Sequence, residues 1–202
     1  MKRTIISLLL LLSFIKPYAQ ESQVERNIFG VQLGMYPISF YNECRLFKEI
    51  ALRSEIGFSY LYESTSSLYG YSSSSQWAII PEINLEPRFY YNLKHRNNLG
   101  KRTNNNSANY LSINFGYKAV DLAIFKSNSL ENVFSSIHII PMYGVRRSIG
   151  NNFNFEFAAG IGREWTFEKY NYYNLITHKN KTYKNIESDI AFGLRLAIGY
   201  VF

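Results

Sequence analysis

The stretch DIAFGLRLAIGYVF (189–202) puts a large apolar residue at every second position. Ile190, Phe192, Leu194, Leu196, Ile198, Tyr200 and Phe202 share one parity, and Ala191, Gly193, Arg195, Ala197, Gly199 and Val201 share the other. A period of two is a strand signature, because successive side chains in a strand point to opposite faces. If the large apolar set faced a core, the other face would meet water, yet that face is mostly Gly and Ala. Such small residues suit a crowded interior, so the greasy face is expected to point outward.

The same inversion recurs along the chain. In 50–63, Ile50, Leu52, Ile56, Phe58, Tyr60 and Tyr62 alternate with Ala51, Arg53, Glu55, Gly57, Ser59, Leu61 and Glu63. In 110–119, Leu111, Ile113, Phe115 and Tyr117 alternate with Ser112, Asn114, Gly116 and Lys118. In 153–167, Phe153, Phe155, Phe157, Ala159, Ile161, Trp165 and Phe167 face away from Asn154, Glu156, Ala158, Gly160, Gly162 and Glu164, with Arg163 the exception. Eight such segments are expected, at 28–36, 38–47, 50–63, 76–92, 109–120, 133–148, 152–167 and 186–202. Most exceed the ~9–11 residues that a tilted strand needs to cross a bilayer. The expected fold is all-β: an eight-stranded antiparallel up-and-down transmembrane β-barrel. The first two segments carry the weakest alternation.

The N-terminus gives an address. Residues 1–19 have a basic start (Lys2, Arg3), an apolar run from Ile5 to Ile15 and a short polar tail, and read as a cleaved secretory signal peptide. The apolar run is too short for a membrane-spanning helix, which takes ~20 residues. Residues 20–202 form the expected single domain, 47% of the whole chain being hydrophobic and 17% aromatic. Removing Lys2, Arg3 and Lys16 lowers the basic count from 22 to 19 against 15 acidic residues, so the formal charge falls from +7 to about +4. Basic residues lie in connectors or alternate with acids, so no nucleic-acid partner is expected. The lone Cys44 has no internal partner for a disulfide.

From a periplasmic N-terminus, odd connectors lie outside the cell and even ones inside. The outer ones are mostly long: 64–75, 121–132 and 169–184. Two inner ones are tight, at Lys48-Glu49 and Gly150-Asn152, as in transmembrane barrels. The inner connector 93–108 is long, basic and Asn-rich, and its composition gives no folding reason for that length. It reads as a solvated loop or a contact for lipid phosphates or a cell-wall polymer. Trp77 and Trp165 fall at the outer ends of their segments, and Phe47, Tyr91, Phe153, Tyr200 and Phe202 near the inner ends, as two aromatic girdles.

The signal peptide, the alternating segments and the terminal Tyr200-Val201-Phe202 resemble the small outer-membrane β-barrel proteins of Gram-negative bacteria, of OmpA/OmpX-like architecture. EPRFYYNLKHR (86–96) and PMYGVRR (141–147) resemble a subgroup of such barrels that implies no specific activity. The resemblance implies residence in the cell outer membrane among its lipids. It also implies that the barrel-assembly machinery reads Tyr200 and Phe202 as an assembly signal.

Eight strands enclose an interior just wide enough for side chains to fill. The parity sends Arg45, Arg53, Arg88, Lys118, Arg146 and Arg195 inward with Glu43, Glu55, Glu82, Glu86, Glu156 and Glu164, a near-balanced set expected to neutralise itself as a plug. The expected function is structural or surface-interacting through Tyr- and Ser-rich outer loops, toward an extracellular ligand of unspecified kind, by a monomer without catalysis. Two alternatives remain. The same charges could line a narrow gated ion path, or an acyl hydrolase could use Ser136, His138 and Glu164, since a turn centred on Asn151 sets position 138 opposite 164. Against the latter, the parity points this trio inward, away from lipid. His95, His138 and His178 are scattered, so no metal is expected, and GIGREW (160–165) lacks a third glycine, so no cofactor is expected either. A soluble lipocalin-like carrier would have to bury about half of the charged residues. Pro81, Pro87 and Pro141 fall within expected strands, where each removes a ladder donor.

Overall fold

A computed structural model describes residues 23–35, 38–66, 73–126, 134–174 and 179–202; for 61–66, 73–76, 169–174 and 179–183 it describes the backbone alone. The signal peptide therefore lies outside the described residues, as does His178. The strands are β1 (Asn27–Gly34), β2 (Ser39–Phe47), β3 (Ile50–Ser66), β4 (Ser73–Phe89), β5 (Asn109–Lys118), the two-residue β6 (Phe125–Lys126), β7 (Ser136–Ile149), β8 (Phe153–Asn174) and β9 (Lys179–Val201). Helix α1 (Leu93–Asn98) and a 3-10 turn, Asn104–Asn106, lie between β4 and β5, and a second 3-10 turn, Val120–Leu122, follows β5.

Eight of these strands form one antiparallel sheet that closes into a ring. Neighbours in sequence pair in order from β1 to β5, then β5 with β7, β7 with β8 and β8 with β9, and β9 returns to β1 through Gly30↔Val201 to Gly34↔Ala197. β6 pairs with β4 above the end of β5. The expected antiparallel eight-stranded order is therefore present.

The faces follow the parity. Phe29, Phe40, Ile56, Ile83, Leu111, Phe192 and Ile198 are exposed on the outside. Inside, Arg53, Arg88, Arg146, Glu43 and Glu156 are fully buried. Alternation was legible wherever one face is covered, because burial is what selects it. Glycines make room for the large interior rings. A Cβ at Gly144 would overlap the Tyr110 ring, and one at Gly30 the Tyr41 ring. Tyr110 cannot swing away without losing Glu156, so Gly144→Val is expected to cost about 1–3 kcal/mol by overpacking. Chemical unfolding of the folded chain would read this as a lower midpoint.

Three features differ from the sequence reading. β8 and β9 do not stop near 167 and 186; their pairing continues to Asn174↔Lys179. Beyond Thr166, the last β8 residue in the β7–β8 ladder, the two strands form a ribbon with no third strand beside it among the described residues. Outside the ring no closed interior imposes alternation, so KYNYYN (169–174) reads as loop.

The connector 93–108 is a solvated loop only in part: Lys94, His95 and residues 97–102 are exposed, but its two ends are buried. Leu93, Asn106, Ser107 and Ala108 are at most 1% exposed. Together with Val24, it seals the end of the ring that carries the short turns.

The prolines, finally, sit in ladder interruptions rather than bulges. The β4–β5 register skips between Leu85↔Phe115 and Arg88↔Ser112, beside Pro87, and the β7–β8 register skips between Ile139↔Arg163 and Met142↔Gly160, beside Pro141. Pro81 falls where the partner of β4 changes from β5 to β6. A strand residue aims its N–H at one neighbour only, so each proline interrupts one ladder and leaves the other intact.

Candidate functional site

The interior holds two layers. The lower one is built on Glu156 of β8. Its Oε1 accepts from Arg88 Nη2 at 2.7 Å, Tyr110 Oη at 2.8 Å and Arg195 Nη1 at 3.2 Å. Arg53 and Arg146 stand 3.6 and 3.9 Å from its Oε2. Glu43 on β2 accepts from Arg146 at 2.7 Å and from Tyr90 at 2.7 Å. Glu86 accepts from Arg88 at 2.8 Å, Arg195 at 2.6 Å and Ser112 at 2.7 Å. Glu55 accepts from Arg53 Nε at 2.8 Å. Guanidinium planes also stack on rings, Arg53 at 3.8 Å from the Tyr41 centroid and Arg88 at 4.3 Å from that of Tyr110.

Four arginines thus meet four glutamates, none more than 4% exposed. Ions taken so far out of water are tolerated only when paired and hydrogen-bonded. Each glutamate comes from a different strand, β2, β3, β4 or β8, so the cluster forms only when the ring closes. Chemically it is a polar core that fills this part of the interior, with Arg195 also lining a cavity above it.

The sequence-derived set divides accordingly. Glu43, Arg53, Glu55, Glu86, Arg88, Arg146, Glu156 and Arg195 come together. Arg45 does not join them: it pairs in register with Ala51 but stands at the sealed end, where its Nη1 donates to Gln23 Oε1 at 2.5 Å. Tyr41, Tyr90, Tyr110 and Asn106 were missed as members. The parity of Tyr41 and Tyr110 could have found them, since each lies two positions from a polar inward residue.

The seal is tied to this layer. Asn106 Nδ2 donates to Glu43 at 2.6 Å, and the backbone N–H groups of Glu25 and Asn105 bond the side chains of Asn106 and Glu25. Arg96, one of the basic residues read as solvated, donates to the Ser107 carbonyl at 2.8 Å.

The upper layer lies toward the opposite end. Ser136 Oγ and Lys118 Nζ both donate to Glu164, at 2.6 and 2.9 Å. Glu82 accepts from Ser59 and from Asn84. His138 stands opposite Glu164 in the ladder, as the turn at Asn151 requires. Its Nε2 faces Glu82 at 4.0 Å, and its Nδ1 has no partner among the described residues. The imidazole does not bridge Ser136 and Glu164; the hydroxyl bonds the carboxylate directly. A nucleophilic relay needs the base between them, so the trio is brought near but not into that order. Beside these residues is a cavity of about 310 Å³, with Asn114, Lys118, His138, Glu164 and Arg195 in its lining. Among the described residues, no group of three or more His, Cys, Asp or Glu is placed to hold a metal ion.

Tyr200 and Phe202 face outward, Phe202 being 76% exposed, with their rings edge to face at 5.6 Å. Trp77 and Trp165 lie at the end remote from the seal, next to Tyr62 and Ile137 in the ladders. Comparison with protein-family models, curated proteins and solved structures returned no match.

Proposed function

We propose that the ring is an eight-stranded β-barrel of the bacterial outer membrane, closed inside by its charge cluster and its seal, with a structural or surface-interaction role exerted from the end opposite the seal. The observation that carries this is the inversion of burial. Phe192 is 78% exposed and Ile190 62%, while Arg53, Arg88 and Arg146 are fully buried. A water-soluble monomer rarely exposes a continuous apolar belt of this kind, whereas a bilayer requires it. Trp77 and Trp165 toward one end, and Phe47, Tyr91, Phe153 and Phe202 toward the other, suit the two interfaces. Tyr200 and Phe202 are then the signal that the assembly machinery reads, and residues 1–19 the export signal. The chain acts as a monomer in contact with outer-membrane lipid.

The test is heat-modifiability. The mature chain folded into detergent micelles is expected to run faster on a gel before boiling than after, with a β-rich circular dichroism spectrum. Identical mobilities, together with solubility in the absence of detergent, would reject the membrane assignment.

A further inference from the structure

The arginines of the interior are neutralised, and three at the sealed rim are not. Arg53, Arg88, Arg146 and Arg195 each meet a glutamate at 2.6 to 2.8 Å. Arg96, Arg102 and Arg147 bond neutral oxygens instead. Arg96 Nε donates to the Ser107 carbonyl at 2.8 Å and its Nη2 to the Arg102 carbonyl at 3.2 Å. Arg102 Nη1 donates to the Gly150 carbonyl at 3.2 Å. Arg147 donates to the Arg146 carbonyl at 2.7 Å and to Asn109 Oδ1 at 2.6 Å. Among the described residues, none of the three is ion-paired with a carboxylate. Their own stretches of chain supply none, since no Asp or Glu occurs in 87–120 or in 132–155. Glu25, the carboxylate built into the seal, accepts from the Asn105 N–H.

The fold gathers these cations at the end of β7. Ser107 ties Arg96 there: its carbonyl accepts from Arg96, and its hydroxyl accepts from the Ser148 N–H at 3.1 Å. Arg102 is held on Gly150, and Arg147 belongs to β7 itself. All three therefore lie against residues 147–150, roughly 10 Å of extended chain. Arg147 shares its parity with Tyr143 and Ile149, which are 43% and 54% exposed on the outer face. Its partner Asn109 donates in turn to Tyr143 Oη at 2.8 Å and Tyr91 Oη at 3.3 Å. Rings of this kind sit where acyl chains give way to headgroups. Arg147 is thus drawn toward headgroup level on the outer surface, with Arg96 and Arg102 beside it at the rim.

We infer that this rim binds the headgroup of an anionic phospholipid in the leaflet at the sealed end, with Arg96, Arg102 and Arg147 turned to its phosphate. The planar fork of a guanidinium matches phosphate oxygens. Each of the three keeps N–H donors to spare, Arg102 using a single one on the Gly150 carbonyl. Net charge selects the lipid. Lys94 and Lys101 are exposed on the same connector, so a zwitterionic head would bring its ammonium among cations with no carboxylate to receive it. Phosphatidylglycerol brings a phosphate and hydroxyls only. A cell-wall polymer would lie beyond the headgroups, whereas Asn109 holds Arg147 on the side of the tyrosines, toward the acyl chains.

The inference rests on the membrane assignment, and the experiment separates the two. Heat-modifiable folded chain in uncharged detergent micelles is mixed with equal amounts of phosphatidylglycerol and phosphatidylcholine of the same acyl chains. Mass spectrometry of the intact complexes then counts the lipids retained. Phosphatidylglycerol is expected to be favoured about tenfold or more, and Arg102→Gln and Arg147→Gln should each lower that preference about threefold, as for one exposed ion pair. The double variant should retain little of it. Arg163→Gln, which changes an exposed arginine one ladder step from the Ile137↔Trp165 pair, far from the seal, should leave it unchanged. The unboiled gel band reports which variants fold, and Arg102→Gln, at an exposed position, decides the matter if Arg147→Gln does not. Equal retention of the two lipids, or a preference that survives the double variant, would overturn the site while leaving the barrel intact. A folded chain without lipid preference that sediments with murein sacculi would overturn it in favour of the cell-wall polymer. A chain that is not heat-modifiable would overturn both.

Discussion

Glu156→Gln is expected to destabilise the folded ring by about 3–5 kcal/mol. The estimate follows from the loss of one partner in a buried ion set. Glu156 is fully buried and stands within 4.0 Å of four guanidinium groups. An amide of the same shape keeps the volume and the hydrogen bond from Tyr110 but removes the only carboxylate shared by Arg53, Arg88, Arg146 and Arg195. Four positive charges then face three negative ones in a space closed to water. Urea titration of the micelle-folded protein, followed by the unboiled gel band, would measure the loss. Glu156→Gln combined with Arg88→Met removes a charge of each sign and should recover part of it. A double variant no more stable than the single one would show that the hydrogen-bond geometry, and not the charge balance, holds this layer. An unchanged midpoint for Glu156→Gln would remove the cluster from the account of stability altogether.

This cluster was legible in part before any coordinates. Strand parity puts Arg53, Glu55, Arg88, Glu156 and Arg195 opposite the large apolar residues, and all five are buried inside the ring. Parity says nothing about height along the axis. It therefore could not separate the eight central residues from Lys118 and Glu164 in the layer above, or from Arg45 at the sealed end. The strands were legible where a covered face imposes alternation, and illegible in the β8–β9 ribbon, which lies outside the ring. The short wall at β1 and β2, with 8 and 9 residues beside 23 in β9 and 17 in β3, was illegible for a third reason: the closure of β9 onto β1 is a contact that no local pattern encodes.

The connector 93–108 failed differently, and supplies the second large prediction. Its composition, basic and Asn-rich, is that of a solvated segment, and Lys94, His95 and residues 97–102 are exposed, but Asn105, Asn106 and Ser107 are buried with backbone and side-chain partners in place of water. Only Leu93 and Ala108 are apolar and fully buried. Leu93 packs in a cluster that includes Val24, Tyr90 and Tyr110, so the segment is attached to the aromatic shell around the charges. Leu93→Ala is expected to cost about 2–5 kcal/mol, as buried leucine truncations do. Replacing 93–108 with a two-residue turn should cost at least as much, because it also strips Glu43 of the amide of Asn106, a hydrogen bond to a charged group. The ring itself should still close, since its ladders do not pass through the segment, and heat-modifiability should persist at a lower unfolding midpoint. A shortened chain of unchanged stability would restore the solvated-loop reading. In that case the burial of Glu43, Tyr90 and Arg146 would depend on the strands alone, and the ring would need no seal at that end.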